Sequence, residues 1–371
     1  MSLITLSRDE AFARIHLLRS PNIGPISYRQ LLRRFGDARQ ALAALPDLAG
    51  RGGGAYRPAP AARIEAEVAA VRGAGARYLF HDAADYPALL GELESAPPIL
   101  IVRGDTAIAA RPCVAVVGAR NASAAAVKLA RDFAAALSEA GLAVVSGLAR
   151  GIDGAAHRGA LLAAAGGGGG TIGVIASGID IAYPPEHAEL QEQVASQGLL
   201  IAEQPPGTEP LARHFPSRNR IIAGLAAGTV VVEAAPRSGS LITARLAGEA
   251  GREVMAVPGS PLEPRSQGCN QLIRDGAVLV QSAADVIELI EGFAGSPRSS
   301  FRETGEAYDF ADVEVTSEPA NIASLLTRAP IAVDELIRQS GEPAAAVQLA
   351  LLELELAGRL IRHAAARVSL A

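Results

Sequence analysis

The sequence has no tryptophan, only two cysteines and almost no lysine. Cys113 and Cys269 are far apart and have no metal-ligand spacing, so we expect no disulfide framework. The net charge of −5 excludes a basic field over the whole protein, so any nucleic-acid binding must come from a local patch. No apolar run approaches the ~20 residues of a membrane span, and the first residues lack the pattern of a signal peptide. We therefore expect a cytoplasmic protein with no membrane association.

The 371 residues are 49% hydrophobic, which is typical of a packed globular protein with more than one domain. The first eighty residues have helix-spaced apolar positions at 8–19, 27–35 and 61–73. Within them, NIGPISYRQLLRRFG has the pattern of a helix-hairpin-helix, whose tight turn precedes helix amides that can bind a DNA phosphate. Asn22 stands where such hairpins usually have their first glycine. A module that contacts DNA and one that only packs are therefore both open.

From Pro98 onward, short β-rich apolar runs alternate with helical patterns. The runs are ILIV, CVAVV, LAVV, TIGVIA, LLIA, TVVVEA, EVMAV and AVLV, and the predicted helices are 124–139, 152–165, 186–195, 219–226 and 240–250. Apolar runs without polar alternation indicate strands covered on both faces, as in a parallel sheet. The pattern predicts a Rossmann-like α/β domain with a doubly wound, mostly parallel sheet.

This pattern ends near Gly292, where a polar, aperiodic segment predicts a linker. Beyond it, helices are expected at about 320–327, at VDELIRQSG and over 343–356, followed by the short strands RLIRH and RVSL, which together predict a winged helix. The predicted domains are a small helical domain of the SAM or helix-hairpin-helix type (1–80), the Rossmann-like domain (81–292), the linker (293–317) and the winged helix (318–371).

The third helix of the predicted winged helix is unlike that of a DNA reader. Between Glu342 and Gly358 it has Glu353 and Glu355 but no lysine or arginine. A helix that enters a DNA groove needs cations or amides toward phosphates and base edges. We therefore expect this winged helix to contact protein or to regulate the chain.

Three predicted loops can hold an anion. In an open parallel sheet, ligands bind beyond the carboxyl ends of the strands, where loops lead into helices. At that edge, small residues let backbone amides approach an anion, and two arginines stand beside them. Gly118, Arg120 and Ser123 follow CVAVV; Ser146, Gly147 and Arg150 follow LAVV; Ser238, Gly239 and Ser240 follow TVVVEA. Each loop alone is also compatible with an ordinary helix cap, and neither a dinucleotide fingerprint nor a P-loop is present.

A fourth segment, ARHFPSRNRIIAGLA, surrounds an aromatic residue with cations. It contains Phe215 and Asn219 together with Arg213, Arg218 and Arg220. Such a pattern is typical of single-strand binding, because bases stack on the ring while arginines neutralise the backbone. The alternative is a core Phe215 with arginines paired to acids such as Glu203 and Glu209.

A catalytic set is not evident. Asp153, His157, Asp180 and Glu233 follow predicted strand ends, but no nucleophile is paired with a base and an orienting acid. His157 is a candidate general base, with a capping or core role as the alternative. Two carboxylates, Asp153 and Glu233, do not specify a metal. We predict no catalytic residues, no metal and no cofactor.

Taken in order, several motifs resemble the DNA-processing protein DprA (Smf) family: VAVVGARNAS, SGLARGIDGAAHRGAL, ASGIDIAYPPEHAEL, FPSRNRIIAGLA, PRSGSLITARLAGEAG and GCNQLIRDGA. The resemblance covers the whole α/β domain, and the flanking domains are arranged as in many members. It implies a mediator of recombination that binds and protects single-stranded DNA, forms a homodimer through the Rossmann-like domain and loads RecA recombinase during natural transformation.

The resemblance also implies site residues. Arg120, Phe215, Arg218, Asn219 and Arg220 would bind the strand, and backbone donors at Ser146, Gly147, Ser238, Gly239 and Ser240 would complete a phosphate pocket. Arg237 and Arg213 stand where relatives often have lysine, and His187 replaces the usual asparagine of a YPxxN motif.

A nucleotide-binding enzyme is the alternative. Related Rossmann-like folds include nucleoside monophosphate phosphoribohydrolases, whose PGGxGTxxE signature has an essential glutamate. The nearest stretch here is PRSGSLITA, with Thr243 near the position of that acid.

Overall fold

The computed structural model describes residues 6–291, 319–363 and 366–371, so the predicted linker lies outside the described residues. The described residues form two compact units. Those up to Ala66 pack with those from Pro319 onward, and those from Glu67 to Glu291 form the second unit. In these ranges, no helix combines the length and the apolar character needed to cross a bilayer.

The secondary structure is as follows. The helices are α1 (Arg8–Arg19), α2 (Pro25–Phe35), α3 (Ala38–Arg51), α4 (Ala61–Gly73), α5 (Ala88–Gly91), α6 (Ala124–Glu139), α7 (Ile152–Ala164), α8 (Ala188–Gln197), α9 (His214–Leu225), α10 (Gly239–Glu249), α11 (Gln267–Arg274), α12 (Ala283–Glu291), α13 (Pro319–Leu325), α14 (Val333–Ser340) and α15 (Ala344–Leu356). The strands are β1 (Arg77–Phe80), β2 (Ile99–Gly104), β3 (Cys113–Val117), β4 (Ala143–Ser146), β5 (Thr171–Gly178), β6 (Leu199–Gln204), β7 (Gly228–Val231), β8 (Glu253–Ala256), β9 (Val278–Leu279), β10 (Ile331–Ala332), β11 (Leu360–His363) and β12 (Arg367–Leu370).

The second unit contains a nine-stranded sheet in the order β1-β2-β6-β5-β4-β3-β7-β8-β9. The seven strands from β6 to β9 in this order are parallel, and β1 and β2 pair antiparallel at one edge. The chain runs outward from β3 in one direction, then returns and runs outward from β7 in the other. This confirms the predicted Rossmann-like, doubly wound and mostly parallel sheet.

The central strand β3 shows why its sequence lacks polar alternation. Val114 and Val116 pack into an apolar cluster that includes Phe133 of α6. Ala115 and Val117 face the opposite cluster, with residues of α9. Both faces are therefore covered by helices, and burial of either face stabilises the strand by about 1.5–3 kcal/mol per large aliphatic side chain.

The structure corrects the sequence interpretation in several places: helices α5, α11 and α12 were not predicted, and three further corrections concern the N-terminal region and α9. The first eighty residues are not all helical, because Arg77–Phe80 is the edge strand β1. Helix α3 was missed; it contains Pro46, but Asp37 caps its first turn by accepting from the Gln40 amide at 2.8 Å. Helix α9 begins at His214 rather than Asn219, since a proline is tolerated in the first turn, where its missing N–H has no intrahelical partner.

The first unit combines a helical domain, α1 to α3, with a winged helix. In the winged helix, α13 to α15 pack on a three-stranded sheet of order β10-β12-β11. The predicted winged helix is confirmed, and β10 is a strand that the sequence did not predict. In the helical domain, Asn22 has a φ of +58°, the left-handed region that glycine adopts most easily. The hairpin turn thus forms with asparagine in the glycine position.

Candidate nucleic-acid interface

A cavity of about 650 Å³ opens at the carboxyl ends of the parallel strands, between β3 and β7, where the order in which strands are added to the sheet reverses. Its walls are the loop after β3, the loop after β7, and the first turns of α9. A reversal of strand order leaves a crevice because the two flanking loops turn to opposite faces of the sheet. The topology of the sheet alone therefore produces this crevice.

Phe215 forms the aromatic part of the wall. It lies in the first turn of α9 and is half-buried. The guanidinium carbons of Arg120 and Arg218 lie 5.0 and 5.9 Å from the centre of its ring, within the range of cation–π attraction. Tyr183 meets the same ring edge-on at 5.8 Å and is itself 43% exposed.

Arg218 is buried, and its guanidinium is held by two neighbours. Asp153 Oδ2 lies 3.9 Å from its Nη1. A Cβ added to Gly147 would lie 1.3 Å from the same nitrogen, so the guanidinium packs directly on the glycine backbone. Burial raises the pKa of Asp153 even though Arg218 favours its carboxylate form, and burial lowers the pKa of Arg218. The Asp153 carboxylate beside Arg218 opposes this shift, because a nearby opposite charge favours the charged guanidinium.

The cavity wall is cationic although the protein is acidic overall. Its lining arginines are Arg120, Arg218, Arg237 and Arg265, whereas Asp153 is the single lining carboxylate. Among the described acidic residues, none forms a salt bridge with Arg120 or Arg237, and both side chains are exposed. This excess positive charge favours an anion in the cavity.

The loop after β7 adds polar groups. Ser238 is the N-cap of α10, and its Oγ accepts from the Ser240 amide at 3.4 Å. Asn219 Nδ2 donates to the Gly239 carbonyl at 3.3 Å, which connects this loop to α9. The first amides of a helix have no intrahelical acceptor and carry the positive end of its dipole. The start of α10 therefore complements the arginines as an anion-binding group.

Glu233 orders the loop after β3. Its Oε2 accepts from the Ser123 amide at 2.8 Å, and its carbonyl accepts from the Ala119 amide at 2.7 Å. Ser123 Oγ accepts from the Ala126 amide and so caps α6. Neither Glu233 nor Ser123 lines the cavity. In the part of the chain that the structure describes, no three His, Cys, Asp or Glu side chains cluster as metal ligands would.

The structure separates the predicted site residues into two groups. Those that line the cavity are Gly118, Arg120, Phe215, Arg218, Asn219, Arg237, Ser238, Gly239 and Ser240. Those placed outside its lining are Ser123, Ser146, Gly147, Arg150, Arg213 and Arg220.

The residues outside the lining have identifiable contacts. Ser146 is buried, and its Oγ donates to the Val116 carbonyl at 2.7 Å, tying β4 to β3. Arg150 pairs with Glu186, and Arg220 pairs with Glu203. For Arg220, the predicted alternative of an acidic partner is thus confirmed. Arg213, the residue before α9, is exposed.

Some lining residues were not predicted as site residues: Asn121, Asp153, Thr243 and Arg265. The sequence suggests Asp153 only as one of two possible metal ligands, and it places Thr243 near the glutamate position of the hydrolase signature. Arg265 belongs to a short 3₁₀ helix after β8. It lies beside the cavity because β8 is the neighbour of β7 in the sheet. No local pattern marks it.

The two histidines near the site have structural contacts. His157 is buried, its Nδ1 lies 2.8 Å from Thr171 Oγ1, and burial lowers its pKa to about 3. The core interpretation of His157 is therefore confirmed. His187 Nδ1 lies 2.9 Å from the Leu148 carbonyl and must carry the proton to donate there. Leu148 has a φ of +57°, so His187 supports a strained loop behind the site.

The fold and the site together define a Rossmann-like domain with a cationic cavity at the crevice of its sheet, flanked in sequence by a helical domain and a winged helix. Family models match all three parts: DNA recombination-mediator protein A over residues 77–291, the DprA-like N-terminal HHH domain over residues 8–70, and the DprA winged helix domain over residues 307–366. The chain belongs to the DprA (Smf) family of DNA-processing proteins.

Individual relatives agree with this membership. DprA of Streptococcus pneumoniae is 47% identical over 206 residues, which are 56% of this chain and 71% of the relative. Protein Smf of Escherichia coli is 39% identical over 284 residues, covering 75% and 73%. The X-ray structure of the pneumococcal protein superimposes with a TM-score of 0.65 at 35% identity, over 77% of this chain and 98% of that one. A structure of Helicobacter pylori DprA that concerns its single-stranded DNA binding mode gives 0.52 at 27% identity, over 58% and 96%.

Proposed function

We propose that this protein is a non-enzymatic recombination mediator that binds and protects incoming single-stranded DNA in the cytoplasm and loads RecA onto it during natural transformation. The observation that carries the proposal is the cavity wall, where Phe215 lies between arginines and Asp153 is the one lining carboxylate. A phosphate is attracted by the arginines, and a base has an aromatic surface beside them.

A strand fits this site better than a free nucleotide. Tyr183 extends the aromatic surface from Phe215 toward solvent, and Arg237 is exposed in the lining loop after β7. The binding surface is therefore open at its edges, so that a chain can enter and leave. Stacking on an aromatic ring and neutralisation of phosphates carry little sequence information, which fits binding without strong sequence preference.

The free energy of tight strand binding requires several contacts with the DNA. Stacking on Phe215 contributes on the order of 1–3 kcal/mol, whereas micromolar binding needs about 8 kcal/mol. Neutralised phosphates at Arg120, Arg218 and Arg237 supply part of the difference. A homodimer formed through the Rossmann-like domains places two such surfaces on one strand and adds avidity. The RecA and dimer roles rest on membership of the family.

The nucleotide-hydrolase alternative is weaker on two counts. Thr243 is buried in the wall near the place where such enzymes have their essential glutamate. Asp153, the lining carboxylate, is paired with the buried Arg218, and this structural role accounts for it without a catalytic one. These two observations favour a site that holds its ligand without reacting with it.

The decisive experiment measures the anisotropy of fluorescent oligo-dT with the double variant Arg120→Ala/Arg237→Ala. Both side chains are exposed, so the fold should survive, and we expect the affinity to fall at least tenfold for two lost phosphate contacts. Arg245→Ala is the matched control, because Arg245 is exposed on α10, pairs with Glu249 and does not line the cavity. Equal affinities for the double variant and the control would refute the assignment of this surface. Base release from nucleoside monophosphates, lost on Arg120→Ala, would support the enzyme instead.

A further inference from the structure

Helix α15 is apolar around most of its circumference, and the structure shows two different partners for its two sides. Val347, Leu351 and Leu354 face the core of the winged helix itself. Leu352 and Leu356 lie instead in the apolar cluster of the N-terminal helical domain and are 2% and 1% exposed. The helix that would read DNA in a winged helix is therefore covered by the domain at the other end of the sequence.

Polar contacts fix this arrangement at both ends of α15. At its N-terminal half, Gln30 of α2 donates to Gln348 Oε1 at 2.9 Å. At its C-terminal end, Asn22 Nδ2 donates to the Leu356 carbonyl at 3.2 Å. Asn22 is the left-handed residue of the hairpin turn, so the turn that could present amides to a phosphate contacts α15.

The glycine-rich segment after α3 allows a close backbone approach. A Cβ added to Gly52 would lie 2.2 Å from the carbonyl oxygen of Glu353. No side chain larger than hydrogen fits there without a backbone shift. Arg359, just beyond α15, donates to the Gly52 carbonyl at 3.1 Å, and Arg51 lies 3.7 Å from the buried Glu353 carboxylate.

From these contacts we propose that the winged helix is a docking domain whose partner is the N-terminal helical domain of the same chain, bound through Leu352, Leu356 and the backbone of α15. The two surfaces that could meet DNA, the hairpin turn and the third helix of the winged helix, are then occupied by each other. Duplex DNA is not a ligand of either one in this state. The inference does not depend on the proposed single-strand site, which lies in the other unit.

The charges of α15 also favour the N-terminal helical domain, rather than DNA, as its partner. Between Glu342 and Gly358 there is no cation, and burial raises the pKa of Glu353, which has only Arg51 and Arg34 nearby as favourable charges. A DNA phosphate against this helix would meet glutamates, whereas the helical domain offers leucines and an arginine.

The test compares two glycine variants of the full-length protein by hydrogen–deuterium exchange. Gly52→Ala forces the carbonyl of Glu353 away, whereas Gly50→Ala meets nothing within 4 Å and is the matched control. If α15 docks as proposed, Gly52→Ala should speed amide exchange in α2, α3 and α15 by about tenfold or more, while α14 stays protected. Wild-type exchange in Gly52→Ala would overturn the proposal, and so would protection of α15 by added duplex DNA.

A cysteine pair distinguishes the same chain from a second copy. A Cβ on Gly54 would lie 3.0 Å from the Ala357 Cβ, so Gly54→Cys with Ala357→Cys needs a shift of only a few tenths of an ångström to form a disulfide. The native Cys113 and Cys269 are buried and do not compete. Mild oxidation should give a cross-link within one chain, seen on a non-reducing denaturing gel as a monomer that has lost the two introduced free thiols and kept those of Cys113 and Cys269. A cross-linked dimer or no cross-link would contradict the intramolecular docking.

Discussion

The guanidinium of Arg120 lies over the ring of Phe215, 5.0 Å from its centre, although Arg120 belongs to the loop after β3 and Phe215 to the distant helix α9. Arg120 is exposed, whereas Arg218, which also approaches the ring, is buried beside Asp153. The ring therefore has one cation that solvent can reach and one that the protein holds. A base that stacks here must either displace Arg120 from the ring or stack on its planar guanidinium.

Arg120 should act through both its charge and its plane. We expect Arg120→Ala to weaken oligo-dT binding and to reduce the slope of log affinity against log salt by about 0.7, the value of one phosphate contact. Arg120→Lys should keep the slope but not the full affinity, because ammonium does not stack. Anisotropy titrations over a range of salt concentrations check both outcomes. Identical behaviour of the Lys and Ala variants would argue against a phosphate contact.

Phe215 should contribute through stacking alone. Phe215→Leu keeps an apolar side chain, so we expect the fold to persist while affinity falls by about 5- to 150-fold, the equivalent of 1–3 kcal/mol. The salt slope should be unchanged because no charge is removed. Unaltered affinity, or a shallower slope, would show that the ring supports the arginines without touching a base.

Local patterns were sufficient to predict the elements that position the site. Helix α6 is predicted with its observed ends, since Ser123 is an N-cap residue and apolar positions continue to Glu139. Strand β3 is predicted because five apolar residues in a row fit only a strand covered on both faces. Helix α3 was missed because Pro46 normally interrupts a helix, and here a strong cap and buried apolar positions outweigh it.

The site itself could be predicted only in part, and the FPSRNR motif shows why. Arg218 and Arg220 are two residues apart on α9, so at about 100° per residue they point in very different directions. Arg218 enters the cavity and Arg220 reaches Glu203. Which arginine enters depends on how α9 packs on the sheet. The pairing of Arg218 with Asp153 depends on the same packing, and no local pattern contains that information.

Gly147 supports the site although it does not line it. Its Cα is so close to Arg218 that Gly147→Ala would force the guanidinium out of its position. We expect weaker oligo-dT binding and a loss of stability of about 1–3 kcal/mol from overpacking. Gly248→Ala is the control, because its Cβ would make only an ordinary contact with Val254 at 3.8 Å and Gly248 does not line the cavity. Urea unfolding and anisotropy on both variants make the comparison; equal values would show that Arg218 adapts without cost.

His157 should make the stability of the protein depend on pH. Burial, with smaller contributions from His187 and Arg218, lowers its pKa from 6.5 to about 3. Between these values the unfolded chain binds a proton that the folded protein does not, so stability is complete above about pH 6.5 and is lost as pH falls toward 3. We expect wild type to lose about 2 kcal/mol more than His157→Gln between about pH 6.5 and 4.5, because the slope is half of its full value of about 1.4 kcal/mol per pH unit at pH 6.5 and approaches that value below it. Urea unfolding of both proteins at the two pH values gives this difference. The pH-dependent contribution of the carboxylates cancels in it, because both proteins contain the same Asp and Glu residues. A difference near zero would mean that the buried imidazole takes up a proton without unfolding.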